Sequence, residues 1–187
     1  MTLREFTIKQ FGERGWQQRV RFPVDKLLAV EKVMQWGGGR TDSGIQNAFK
    51  YWLNKKHGGR VRLDEYEWEP DDDVVTTLID VSPPNPFHYR FKSHHLKYFR
   101  WMMEKPLAEF PHREIMNACS LEYHSCKADA EPVGHHISHD LNGFRRDYVR
   151  LLLPLTDSSG HVSALACVSR HLHSTTPAGS PPSTPDD

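Results

Sequence analysis

The chain has 187 residues, 37% apolar and 26% charged, and its 24 Lys and Arg balance 24 Asp and Glu. That length suits one domain of ordinary size with extensions. Zero net charge argues against a protein held to nucleic acid by a basic field, and no run of about 18 apolar residues exists to insert in a membrane.

Three widely spaced Cys make no disulfide framework. The opening MTLREFTIKQFGERGW has no apolar segment of the kind a signal peptide needs, so a cytoplasmic location with reduced thiols is expected.

Residues 1–22 mix charge and aromatics, with a modest basic excess from Arg4, Lys9, Arg14, Arg19 and Arg21. Phe6 and Ile8 alternate with polar neighbours as in a short strand; otherwise the segment reads as a solvated extension or docking arm. A helix is predicted over 23–36, opened by Pro23, with Leu27, Leu28, Val30, Val33 and Met34 on a wide apolar face and Gly37-Gly38-Gly39 stopping it. A second is predicted over 44–57, where Ile45, Ala48, Phe49, Trp52 and Leu53 recur at helical spacing before Gly58. Residues 64–73, DEYEWEPDDD, read as a solvated acidic loop, since they lack the spaced oxygen ligands and turn glycine of a calcium loop.

The texture then turns to strands. The β-branched run 74–81 and the alternating run 87–92, joined by Ser82-Pro83-Pro84-Asn85-Pro86, suggest a hairpin. An amphipathic stretch over 95–102 and short pieces around Pro106 and Pro111 precede a long helix over 113–130, with Ile115, Met116, Cys119, Tyr123 and Cys126 on one stripe. Strands are predicted at 134–139, 147–155 and 161–169, the last two joined at the turn 156–160. The Ser/Thr/Pro-rich tail from His173 is expected to be disordered. Five strands around a helical insertion make an α+β layout with an antiparallel sheet, not a doubly wound one.

The chemistry-bearing residue types are weighed against plainer roles. His135, His136 and His139 would converge on a metal only in a helix. In a strand His135 and His139 share a face but stand about 13 Å apart, so titrating surface histidines are the favoured reading. Cys119, His124 and Cys126 could be ligands, but the helical stripe explains the two Cys as small core hydrophobes. There is no phosphate loop, dinucleotide glycine pattern or nucleophile elbow, and no acid–base pair at fixed spacing. Catalysis therefore has no positive sign in the sequence. A ligand pocket would be lined by Tyr89, Phe91, Tyr98, Trp101, Met102, Met116, Cys119, Tyr123, Leu151, Leu153, Leu165 and Cys167, on helices facing a sheet.

Strand, strand, short helices, long helix and a three-strand meander is the order of a PAS domain. The chain resembles the PAS-like proteins common in alphaproteobacteria over residues 45–172. The pieces that carry the resemblance are Tyr51-Trp52, Gly58-Gly59-Arg60, Arg62-Leu63-Asp64, Leu78-Ile79-Asp80-Val81, Tyr89-Arg90-Phe91, and Arg150-Leu151-Leu152-Leu153-Pro154-Leu155-Thr156-Asp157. Ser93-His94-His95 stands where that family has a glycine. The resemblance implies a five-stranded antiparallel sheet with helices on one face, preceded by N-terminal helices. The organisation is then an extension at 1–22, helices at 23–60, the PAS-like domain at 61–172 and the tail at 173–187.

The resemblance also implies a stand-alone, non-catalytic sensor or signalling module that binds a small molecule and passes its output to a partner protein. Its cofactor stays unassigned. Haem-binding PAS domains use a helix His, for which His112 or His124 would serve. Flavin photosensor domains use a Cys motif that Asn117-Ala118-Cys119-Ser120-Leu121 echoes loosely; neither cofactor is expected. The apolar face of the first helix, with Leu27, Val30, Val33 and Met34, is the expected homodimer or partner surface. The alternatives are a His-rich metal protein or enzyme, and a structural interaction domain with a filled core.

Overall fold

The computed structural model describes residues 7–12, 15–26, 44–69, 74–94, 102–141 and 144–173. It is α+β: one seven-stranded antiparallel sheet, with a helix packed on each face. The strands are β1 (Thr7–Gly12), β2 (Gly15–Phe22), β3 (Val75–Asp80), β4 (Arg90–His94), β5 (Val133–Leu141), β6 (Phe144–Thr156) and β7 (Val162–His173). The helices are α1 (Gly44–Asn54) and α2 (Arg113–Asp129). Across the sheet the order is β1-β2-β5-β6-β7-β3-β4.

Five strands, β5-β6-β7-β3-β4, join the 74–94 hairpin to the 133–173 meander through β3, which lies antiparallel to β7 with Ile79 opposite Leu165. The other two strands were largely unforeseen. The N-terminal segment is no solvated arm: β1 and β2 form a hairpin, and β2 pairs along its length with β5, from Gly15 opposite Leu141 to Phe22 opposite Gly134. The sheet thus has seven strands where five were expected.

The alternation of β6 explains why both faces are covered. Val149, Leu151, Leu153 and Leu155 point to one side and pack with Ile45, Ala48 and Trp52 of α1. Leu152 points to the other, with Cys119, Tyr123 and Cys126 of α2. Successive side chains of a strand face opposite ways, so a continuous apolar run needs a cover on each face. Helix α2 of the 61–172 region lies on one face, and the preceding helix α1 covers the other, a placement no expectation had assigned. Each fully buried Leu in this strand contributes about 1.5–3 kcal/mol of transfer free energy.

Pro154 is tolerated in β6 because β5 ends opposite Leu152, so the ring lies past the β5 ladder. Its carbonyl accepts the Trp52 indole N–H at 3.0 Å, which ties α1 to the sheet. Beyond it, Thr156 N–H donates to the Val61 carbonyl at 2.8 Å.

Several boundaries move by local chemistry. Phe87 and His88 sit in a 3-10 turn, Pro86–His88, capped by the Asn85 side chain on the Phe87 N–H, and Phe87 is exposed. After α1 the chain reverses through Gly58 and Gly59, both at positive φ. α2 closes on Ala130 in the left-handed region, whose N–H reaches the Cys126 carbonyl. The helix expected at 23–36 is helical at residues 24–26; the rest, with Leu27, Val30, Val33 and Met34, lies outside the described residues, as does the tail beyond His173.

Candidate functional site: a buried ionic cluster beneath α2

The α2-facing side of the sheet has two halves. Toward β3 and β4 it is apolar and rich in sulfur and aromatics. Tyr89, Phe91, Met102, Cys119, Tyr123, Leu165 and Cys167 form one buried cluster there, with Met116 packed against it. Eight of the twelve expected pocket residues thus come together. Leu151 and Leu153 do not: they lie on the opposite face, against α1, because they are odd-numbered neighbours of Leu152 on a period-two strand. Tyr98 and Trp101 lie outside the described residues. The Tyr89 hydroxyl meets Nδ1 of the exposed His124 at 3.1 Å, and His112 immediately precedes the first turn of α2.

Toward β2 and β5 the same face turns polar. Directly opposed residues of antiparallel strands share a face. Arg21, His135 and Arg150 therefore stand in one row across β2, β5 and β6, and Gln17, His139 and Arg146 in another. Between them Arg19 reaches α2. Its Nε donates to Glu122 Oε1 at 2.7 Å and its Nη2 to Glu122 Oε2 at 2.6 Å, a bidentate fork. Arg150 Nη2 donates to the same Oε2. Cys119 Sγ accepts from both guanidinium groups, at 3.5 Å from Arg19 and 3.8 Å from Arg150. The Arg150 guanidinium also lies 5.3 Å from the Tyr123 ring centre, a cation–π contact.

These groups are withdrawn from solvent: Arg19 is 1% exposed, His135 2% and Arg150 3%. Burial alone would raise the Glu122 pKa, but Arg19 and then Arg150 outweigh it and hold the carboxyl well below its ordinary value. Burial pushes His135 down to about 3, against a partial opposing pull from Glu122. Burial likewise lowers His139 to about 4, aided by Arg146 and Arg19. Both rings are neutral at pH 7, and among the described residues both Nδ1 atoms are buried with no hydrogen-bond partner, as is Arg150 Nε. The reading of His135 and His139 as titrating surface groups is corrected: they are interior. His136, on the other face, pairs with Asp147 at 2.6 Å. Burial raises the thiols of Cys126, to about 12, and Cys167.

Sequence reasoning passed over Gln17, Arg19, Glu122 and Arg150. Two signals were available. Trp16, Val20 and Phe22 alternate with Gln17, Arg19 and Arg21, a strand pattern that was passed over when the segment was read as a solvated extension. Arg150 is flanked by Val149 and Leu151 inside an apolar run, where a charge implies a buried partner.

Comparison with known proteins returns no matching family model, no similar curated protein and no similar solved structure. Among the described residues, no helix is long and apolar enough to cross a membrane.

Proposed function

We propose that the chain is a PAS-like sensor or interaction module, non-catalytic, which binds a small molecule beneath α2 and passes a change in helix docking to a partner protein. The observation that carries this reading is the make-up of the interior beneath α2. One helix and one sheet face bring together an aromatic and sulfur cluster and, contiguous with it through Cys119 and Tyr123, a set of buried charges with unpaired polar atoms. Concave sites for small molecules combine an apolar wall with a few converging polar groups. A filled structural core has no need of the second half. The PAS-like assignment is supported by the chain order of hairpin, 3-10 turns, long helix and three-strand meander.

Signal output follows from differential affinity: a ligand that binds better to one docking of α2 shifts the population toward it. Native mass spectrometry of untagged protein, with an absorption spectrum, tests the reading. A stoichiometric added mass is expected. A bare chain, unchanged after incubation with a cell metabolite extract, would overturn ligand binding and favour the scaffold alternative. Visible absorbance would instead reveal a haem or flavin.

A further inference from the structure

The ionic cluster is out of balance. Arg19 and Arg150 each carry a positive charge, and both spend it on one carboxylate, that of Glu122. The nearest further groups, with Cys119 counted as the thiol that accepts from both guanidinium groups, add no negative charge: His135 Nε2 stands 3.8 Å from Glu122 Oε1, and its ring is neutral at pH 7. Arg21, next in the row, is occupied with Asp129 at 2.9 Å and with Ser125 Oγ at 2.9 Å. Among the described residues one positive charge is thus in excess in this cluster. Buried charge is retained in proteins when it is paired or ligated, because its desolvation is otherwise too costly.

The same place holds the orphan atoms. Among the described residues Arg150 Nε has no partner, and neither does His135 Nδ1 on the strand beside it nor Arg21 Nε on the strand beyond. Arg150 Nε is a donor in every protonation state, and a neutral imidazole can carry its proton on Nδ1 and donate too. These unused atoms therefore add donors to a site whose described charges are positive in excess. A guanidinium edge matches a planar oxyanion with two oxygens better than a spherical ion.

We propose that the Arg19–Glu122–Arg150 cluster, with His135, is the anchor point for a small monovalent oxyanion of the carboxylate class. Its negative charge would neutralise the cluster, and its oxygens would accept from Arg150 Nε and His135 Nδ1. This rests on the reading of the α2 face as a ligand site and gives that ligand its polar end. The carboxylate lies against Arg150, and any apolar portion points toward Cys119 and Tyr123.

The test is a thermal melt of the full chain in a buffer free of carboxylates and halides, titrated with formate or acetate, with chloride and nitrate as comparators. A saturable rise in the melting midpoint of roughly 3–6 °C at ten times Kd is expected for a protein of this size. Arg150→Met should weaken the response about tenfold or more, through loss of a charged donor. Its midpoint without anion should equal or exceed that of the unsubstituted protein, since the Arg19–Glu122 pair then stands alone and balanced. Arg150→Lys, which keeps the charge but loses the fork, should retain a weaker response. Far-UV circular dichroism checks that each variant folds. The proposal is overturned by a rise no greater than that with chloride, or by an undiminished response in Arg150→Met. A neutral molecule found by native mass spectrometry would overturn it too, while leaving the sensor reading standing.

Discussion

The two faces of the sheet are covered in the same way and filled in opposite ways. Under α1 the core is apolar, with Ile45, Trp52, Val149, Leu151, Leu153 and Leu155 in contact; the Trp52 indole is tied to the Pro154 carbonyl, and the His136–Asp147 pair on this face is partly exposed. Under α2 the same strand β6 presents Arg150 and Leu152, and the interior holds a carboxylate between two guanidinium groups beside two neutral histidines. The α1 face is what stability alone selects. Replacing a buried ion cluster by well-packed hydrophobes is often neutral or stabilising, so charges retained in one half of one face point to a role beyond holding the fold. The α1 face is the scaffold, and the α2 face is where this molecule departs from the most stable arrangement.

The sharpest way to break this comparison is Glu122→Gln. It leaves two buried guanidinium groups without a carboxylate and should destabilise the fold by roughly 3–5 kcal/mol in urea unfolding. A loss below about 1 kcal/mol would mean that water reaches the cluster, because hydrated ion pairs count for little. On the other face, Leu153→Ala should cost about 3 kcal/mol through lost transfer energy and the cavity left behind. Unlike the first substitution, it should leave any ligand response intact.

The pH dependence separates the faces further. His135 and His139 have folded-state values of about 3 and about 4, below the ordinary histidine value. As pH falls through that ordinary value, about 6.5, the unfolded chain takes up protons that the folded chain refuses, so stability drops between neutral pH and about pH 4. For His135 alone the loss by pH 4.5 is on the order of 2 kcal/mol. The groups that set its shift are Glu122, Arg150, Arg19 and Arg21; those facing His139 are Arg146, Arg19, His112 and Asp140. A flat midpoint from pH 7 to 5 would show that these rings are solvated. At the small end, Leu121 is 64% exposed on the outer side of α2. Leu121→Gln should change stability by less than about 0.5 kcal/mol.

What was legible in the sequence followed periodicity. The strands β3, β6 and β7 and the helices α1 and α2 were visible because their apolar residues recur at strand or helix spacing, and the stripe of Cys119, Tyr123 and Cys126 faces inward as expected. The sequence misled where polar residues face a core. In β2 the inward positions are Gln17 and Arg19, so the pattern reads inside out, and in β5 His135 and His139 share the inward face with Val133 and Ile137. The cluster itself was out of reach, because Arg19 and Glu122 are 103 positions apart and nothing local marks them as partners. Leu151 and Leu153 were misplaced for a simpler reason: a run of consecutive leucines does not say which face any one of them takes.

The N-terminal hairpin has a consequence for the order of folding. β2 reaches the sheet only by pairing with β5, more than a hundred positions further along the chain. Contacts of such long sequence separation bear the loop-closure entropy and form slowly, whereas the β6–β7 hairpin, turned tightly at Asp157–Gly160, is local. The meander can therefore nucleate first and dock α2 while Glu122 faces Arg150 alone. That pair is neutral. Only when the hairpin closes as the last edge of the sheet does Arg19 bring in the second positive charge, so the electrostatic imbalance of the finished interior is a product of the final step of assembly.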